Sequence, residues 1–393
     1  MQIHEESILI YKDLKKSDYP LFKHKIKIKI WFDYSPKVLI EFGDYNVEPY
    51  RVYMKNYDGT IFHMSDITTG IFTYAYRRWI VDTIITVHDK NGVEVANFDL
   101  RDKIKSGKVL IALESSSLGD NLAWMPYVNK FIEDNNCSDA TVTTFWNNIF
   151  DYDNIRFKPP GYREDDIDVL IGIGWYIEDD INYHRVDPRI CPLQKVASDI
   201  LGVEYVGEIK PRIKRIVKER PTNRRYVCIG TESTAAAKHW NREGGWQTLV
   251  NLLSESGYDI AIIHKQGNFL TNVIDKTGDL PIEDRISDLI NCDFFIGISS
   301  GLSWLAWALD VPVVMISGFT HKFCEFSDKT LRIINEDKCH GCFNDTENKF
   351  DRGDWLWCPK HKGTDRQFEC TTSISPEQVF ESIKNWDLGI SRM

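Results

Sequence analysis

The stretch Phe294-Phe295-Ile296-Gly297-Ile298-Ser299-Ser300-Gly301-Leu302-Ser303-Trp304-Leu305-Ala306-Trp307-Ala308-Leu309 is the longest run in the chain without a charged residue. Its first part, 294–298, is apolar and of strand length. It breaks at two serines and a glycine, then continues as an apolar stretch of helix length, 302–309, and a further short apolar run follows at 313–316. Strand, tight turn, helix and strand together form the repeating unit of a parallel sheet with covered faces. The run is too short to span a bilayer and is interrupted by Gly297, Ser299, Ser300, Gly301 and Ser303.

The same alternation extends upstream. Strands are expected at 226–229 and 258–264, with helices at 244–256 and 282–290. Earlier, an apolar strand at 108–113 leads through Ser115-Ser116-Ser117-Leu118-Gly119-Asp120 into a helix reaching residue 131. Further strands are expected at 141–146 and 168–171. Two doubly wound halves follow from this pattern. Ligands of such folds lie beyond the carboxyl ends of the strands, and two facing halves enclose a cleft.

The first hundred residues read as a small all-β barrel or sandwich. Lys and Ile alternate over 24–31, with short strand candidates at 37–42 and 51–54. Asp58-Gly59 and Asn91-Gly92 favour tight hairpin turns, the clearest hairpin pairing 79–87 with 93–98. A basic stretch at 210–225, with Pro211 and Pro221, reads as a solvated interdomain linker; an anion-binding patch is the other reading. A last helix is expected at 376–385, capped by Ser375.

The chain has 393 residues, 42% apolar and 27% charged, an ordinary globular balance. Its net charge of −10 argues against a dedicated nucleic-acid binder. Residues 1–13 hold two glutamates and no long apolar run, so no signal peptide is expected and the chain reads as cytoplasmic. Nine cysteines in such a chain point to metal or buried thiols rather than disulfides.

Four constellations could carry chemistry. Asp120 begins a helix at the carboxyl edge of the first sheet; it is either a charge complementing the helix dipole or a base in the cleft. Thr231, Ser233, Thr234 and Lys238 follow the first strand of the second half, where hydroxyls and an ammonium suit phosphate oxygens. Ser300-Gly301-Leu302-Ser303 opens a helix whose free amides favour an anion. Cys339-x-x-Cys342 with Cys358 and Cys370 matches a tetrahedral thiolate site, with His340 and His361 as possible substitutes; chemistry alone favours zinc, with iron as the other choice. Cys137, Cys191, Cys228, Cys292 and Cys324 read as buried small hydrophobes. Asp151-Tyr152-Asp153 and Asp166-Ile167-Asp168 are short motifs assigned to no metal, and Gly172-Ile173-Gly174 lacks a full dinucleotide fingerprint.

Together these features resemble the bacterial autotransporter heptosyltransferases, within the ADP-heptose heptosyltransferase superfamily. The resemblance covers nearly the whole chain. It rests on Tyr76-Arg77-Arg78-Trp79, Ser117-Leu118-Gly119-Asp120, Arg185-Val186-Asp187-Pro188-Arg189, Lys238-His239-Trp240, Ser300-Gly301-Leu302-Ser303 and the four cysteines. The cysteine set with the Leu-Gly-Asp turn is its specific part; Ser299 and Trp304 depart from the lipopolysaccharide branch.

The resemblance implies an α/β fold of GT-B architecture, two Rossmann-like halves preceded by an all-β domain and followed by a four-cysteine metal finger. The implied domains are a β-domain at 1–104, an acceptor-side half at 105–215 and a sugar-nucleotide half at 216–337. The finger would occupy 338–371 and a C-terminal helix 372–393. The implied reaction is inverting transfer of heptose from ADP-heptose to serine hydroxyls of an autotransporter adhesin passenger, with no Mg2+ required. Asp120 is implied as general base. Ser233, Thr234 and Lys238 would hold the phosphates, and the Ser300-Gly301-Leu302 amides the diphosphate from the other side. Ser117, Leu118, Gly119, Thr231 and Ser303 complete the substrate-binding set. The cysteines would hold one structural Fe3+ (Zn2+ as alternative) in a dodecameric assembly. The rival readings are a lipopolysaccharide-core heptosyltransferase and a non-catalytic nucleotide-binding protein with a metal finger.

Overall fold

The computed structural model describes residues 26–42, 49–75, 78–80, 83–164, 167–178 and 181–386. The expectations at 1–13, at Tyr76 and Arg77, at Asp166 and beyond 386 lie outside them.

Two α/β sheets dominate. The first has seven strands in the order Arg156–Lys158, Asp139–Thr143, Lys108–Leu113, Val169–Ile173, Ile26–Asp33, Pro36–Phe42 and Phe72–Tyr74. The first five run parallel and the last two join antiparallel. Val169–Ile173 is buried along its whole length, as expected of a parallel strand covered on both faces. The second sheet has six parallel strands in the order Ile274–Asp275, Asp259–Ile262, Tyr226–Gly230, Phe295–Ile298, Val313–Ile316 and Thr330–Ile333. Among the described residues no helix is long and apolar enough to cross a membrane.

The first hundred residues do not close on a sheet of their own. Ile26–Asp33 joins the first α/β sheet through a parallel pairing that sets Phe32 opposite Val169. Only Tyr50–Lys55, Ile61–Ile67, Ile84–His88 and Glu94–Asp99 form a separate antiparallel sheet. The Lys/Ile alternation is real, with Ile28 and Ile30 buried. Alternation reports which face is covered, however, and not which strand lies alongside. The Asn91-Gly92 turn does join two strands of the antiparallel sheet, with Gly92 at φ +78°, where glycine is favoured.

The basic stretch before Tyr226 is ion-paired at Lys210, Lys218, Arg224 and Arg225. Lys210 pairs with Asp310 at 2.6 Å and Asp328 at 2.8 Å, and Arg225 with Asp293 at 3.1 Å. Backbone bonds tie the same stretch to the first half, Asp151 to Arg212 and Lys214 to Ile149, so it describes a connecting strap better than an anion-binding patch.

The two halves meet through the helices Leu118–Asp134 and Gly301–Ala308. Their first turns abut at two glycines. A Cβ on Gly301 would stand 2.9 Å from Leu118 Cβ and 3.3 Å from the Gly119 nitrogen, so only glycine fits this approach. The carboxyl edges of both sheets are thereby brought to one place.

Candidate active site

Asp120 lies in the first turn of Leu118–Asp134, just past the end of Lys108–Leu113. Its Oδ2 accepts from Ser115 Oγ at 2.5 Å and from Trp175 Nε1 at 2.9 Å. The carboxylate is thus turned toward the preceding turn and the neighbouring strand end. Burial raises its pKa above the usual carboxylate value; the two hydrogen bonds and the charges of Lys238 and Arg352 oppose that rise. Ser117 is the N-cap, with no side-chain capping bond, while Leu118 packs against Gly301 and Gly119 against Trp304.

On the opposite edge, the chain leaves Tyr226–Gly230 and reaches Lys238 through a 3-10 turn, Ala236–Lys238. The Lys238 ammonium lies 5.3 Å over the Phe319 ring. Burial lowers its pKa, while the carboxylates of Asp120 and Glu325 pull it up. Ser233 Oγ donates to the Ser299 carbonyl at 3.4 Å, joining the two loops of this edge. Thr234 is exposed. Thr231 is buried, its hydroxyl 3.1 Å from His264 Nδ1, and Ser303 donates to the Ile298 carbonyl at 2.6 Å. Those two hydroxyls are therefore engaged within the fold. Ser300 Oγ is buried without a hydrogen-bond partner at the start of Gly301–Ala308, whose first amides have no acceptor within the helix.

Behind this turn lies a carboxylate that sequence reading missed. Glu325 is 7% exposed and accepts from Ser299 Oγ at 2.5 Å, Thr320 Oγ1 at 2.8 Å and Arg332 Nη2 at 2.7 Å. It fixes the residue before the helix start. Ser115, Trp175, Phe319 and Arg352 were also missed as site residues. Trp175 had an available signal: it stands just beyond the end of Val169–Ile173, the strand beside Lys108–Leu113.

The four cysteines line one cavity of about 20 Å³, together with Ala237, His361 and Glu369. Burial pushes the Cys342 and Cys370 thiols up to about 12, and the neighbouring thiols add to the rise. Thiols crowded this way favour a cation that would stabilise their ionised forms. Cys339, His361 and Glu369 have donor atoms within 4.8 Å of one another. Glu369 is already engaged, by Arg366 at 2.9 Å and the Cys339 amide at 3.2 Å. The four thiols lining this cavity are the donor type a thiolate site needs, but the donors that lie within 4.8 Å of one another are Cys339, His361 and Glu369. All nine cysteines are free; Cys191, Cys228, Cys292 and Cys324 are buried as expected, whereas Cys137 is only half-buried.

The cysteine-rich segment reaches both halves. Trp355 O accepts from the Ala236 amide at 3.1 Å, and Asn348 O accepts from Arg189 Nη1 at 3.1 Å. Asp168, from the short acidic motifs, is occupied by the Lys108 amide at 2.8 Å. Gly172 serves packing, since a Cβ there would lie 2.1 Å from the Tyr34 ring.

The glycosyltransferase family 9 (heptosyltransferase) model matches residues 196–349. The chain is 36% identical over 364 residues to the autotransporter heptosyltransferase Aah of Escherichia coli, covering 88% of this chain and 90% of that one. It is also similar to TibC, from an enterotoxigenic strain of the same species, solved as a dodecameric iron-containing heptosyltransferase in complex with ADP-D-β-D-heptose. That likeness has a TM-score of 0.84 at 31% identity and covers 96% of this chain and 100% of that one. BimC of Burkholderia thailandensis, an inactive autotransporter heptosyltransferase, is 31% identical over 386 residues, 94% of this chain and 88% of that one.

Proposed function

The chain belongs to the autotransporter heptosyltransferases, and on that premise we propose that it moves heptose from ADP-heptose, with inversion, onto serine hydroxyls of an autotransporter passenger. The observation that carries this reading is the close approach of the two helix starts at Gly119 and Gly301, beside which the Asp120 carboxylate and the buried Lys238 ammonium act on each other's charge. The architecture is read as GT-B, the first half taking the acceptor and the second the donor.

A serine hydroxyl is a weak nucleophile and needs a positioned base. Asp120 takes that proton as the serine oxygen bonds to the anomeric carbon. The bond from that carbon to the diphosphate breaks, and ADP leaves with the electron pair. Lys238, the Ser300 hydroxyl and the Gly301 and Leu302 amides meet the growing charge, so the protein's own donors do the work for which other transferases recruit Mg2+. Ser233 and Thr234 complete the phosphate contacts. Thr231 and Ser303, with engaged hydroxyls, shape the donor side. Ser117, Leu118 and Gly119 form its facing wall.

One consequence is a pH limb. Asp120 acts only when ionised, and burial sets its pKa above the ordinary 3.8. Transfer is therefore expected to fall as pH drops through that raised value. Rates of ADP release measured downward from pH 8 check this. A rate that stays flat to below pH 4 contradicts a buried carboxylate base.

Cys339, Cys342, Cys358 and Cys370 would hold one iron ion, whose thiolate bonds would tether the segment beside its own aromatic cluster of Phe343, Phe350, Trp357 and Phe368 on Phe319, a cluster not expected from its polar sequence. Any single Cys→Ser change is expected to take metal content well below one per chain, lower Tm and shift sedimentation toward species smaller than a dodecamer. Zinc in place of iron would keep the role and change the ion. No metal at all, with native cysteines freely alkylated, would contradict the site.

A second reading has a specific observation behind it. A relative as similar as BimC is inactive, so family membership alone does not give turnover. Purified chain, ADP-heptose and a passenger separate the readings. Donor binding without transfer supports a non-catalytic role, and transfer to core oligosaccharide but not to passenger supports the lipopolysaccharide reading.

A further inference from the structure

We infer that Phe343 is a positioning residue, holding from one side the indole that orients Asp120 and from the other the ring beneath Lys238. The inference rests on the reading above and names a role for the cysteine-rich segment inside the reaction itself.

Phe343 directly follows Cys342, and its amide donates to the Phe319 carbonyl at 3.1 Å. Its ring meets three others. Trp175 lies edge-on at 6.2 Å and 87°, Phe319 tilted at 5.3 Å, and Phe350 edge-on at 5.7 Å. These separations fall within the range in which aromatic pairs attract. Trp175 is the residue that gives its Nε1–H to Asp120, and Phe319 is the ring over which the Lys238 ammonium sits. Phe343 thus touches both supports.

Its own place is set from the segment. Asn344 donates to Arg189 O and to Cys324 Sγ at 2.9 Å, and accepts from the His321 amide at 2.8 Å. With the backbone pinned there and at Phe319, the ring has little freedom to follow a moving indole. It acts as a stop against rotation of Trp175, and so keeps the N–H aimed at the carboxylate. Lys238 and Arg352 are the charged groups that also face Asp120.

Phe343→Ala removes the stop. The indole, still braced by Trp124 at 6.1 Å but no longer by Phe343, turns more freely, and Asp120 loses a donor that favours its ionised form. The acid limb of the rate profile is expected to move to higher pH. At its plateau, kcat is expected to fall roughly 10–100-fold, the scale of a small misplacement of a catalytic group. The donor KM is expected to stay within a few-fold. Trp175→Phe, which deletes the same N–H, is expected to move the limb in the same direction, and Phe343→Tyr to restore the parent profile. Metal content and sedimentation of each variant report folding. Where the alanine variant does not assemble, Phe343→Leu gives the limb and kcat in an assembled protein.

A limb and kcat like the parent's in an assembled Phe343→Ala or Phe343→Leu overturn the inference. So does a loss of activity that follows metal loss with the limb in place. Asp120→Asn, measured alongside, separates the two claims. If it is dead while the Phe343 variants match the parent, only this inference fails; if it is active, the base assignment fails first.

Discussion

Asp120→Asn is expected to slow heptosyl transfer by about 10²–10⁴, the usual cost of removing a general base, while ADP-heptose binding stays close to the parent's. The substitution is nearly isosteric, so the Ser115 and Trp175 side chains, at 2.5 and 2.9 Å from Oδ2, keep a partner of the same shape. What disappears is the ability to take a proton. The carboxylate belongs to the first half, whereas the proposed phosphate donors belong to the second, so donor affinity has no reason to fall far. Loss of one negative charge near Lys238 can even tighten the hold on a diphosphate. Single-turnover transfer and donor titration on the same preparation decide the matter. Transfer within a few-fold of the parent, or donor binding lost in proportion to rate, would remove the base role.

Lys238→Ala is expected to reduce kcat by about 10²–10³, the scale seen when one preorganised donor to a developing charge is removed. It is also expected to weaken donor binding, by a smaller factor. The asymmetry follows from timing. The diphosphate is already charged when bound and gains further charge as the sugar departs, so the ammonium acts more strongly on the transition state than on the ground state. Burial raises the stakes, because a partly desolvated charge is less screened than one in water. Lys238→Arg keeps the charge, but a planar guanidinium does not sit as a compact ammonium does over Phe319, so only partial recovery is expected. Unchanged kcat and unchanged donor affinity together would place the phosphate site elsewhere.

The places in the fold of the proposed site residues were legible in sequence, because those places depend on local transitions. The apolar strand breaking at Ser299-Ser300-Gly301 predicted a helix at 302–309, which runs Gly301–Ala308, and its place at a sheet edge. The strand before Ser115 did the same for Asp120. Spacing and residue type pointed to the four cysteines as a group, and the fold brings them to line one cavity.

What escaped depends on distant pairing. Nothing in the alternation of 24–31 says that Ile26–Asp33 will lie beside Val169–Ile173, more than a hundred residues away. Trp175, Glu325 and Phe343 have no motif; each matters through what it touches. Thr231 differs in another way: a hydroxyl well placed in sequence is buried and engaged by His264.

The most direct test of the central claim is the intact mass of an autotransporter passenger co-expressed with this chain in a host that makes ADP-heptose. The passenger is expected to be heavier by whole heptose increments, with fragmentation placing each on serine. An unmodified mass is expected when the partner carries Asp120→Asn. A passenger of unmodified mass beside the folded, assembled parent chain would contradict that claim.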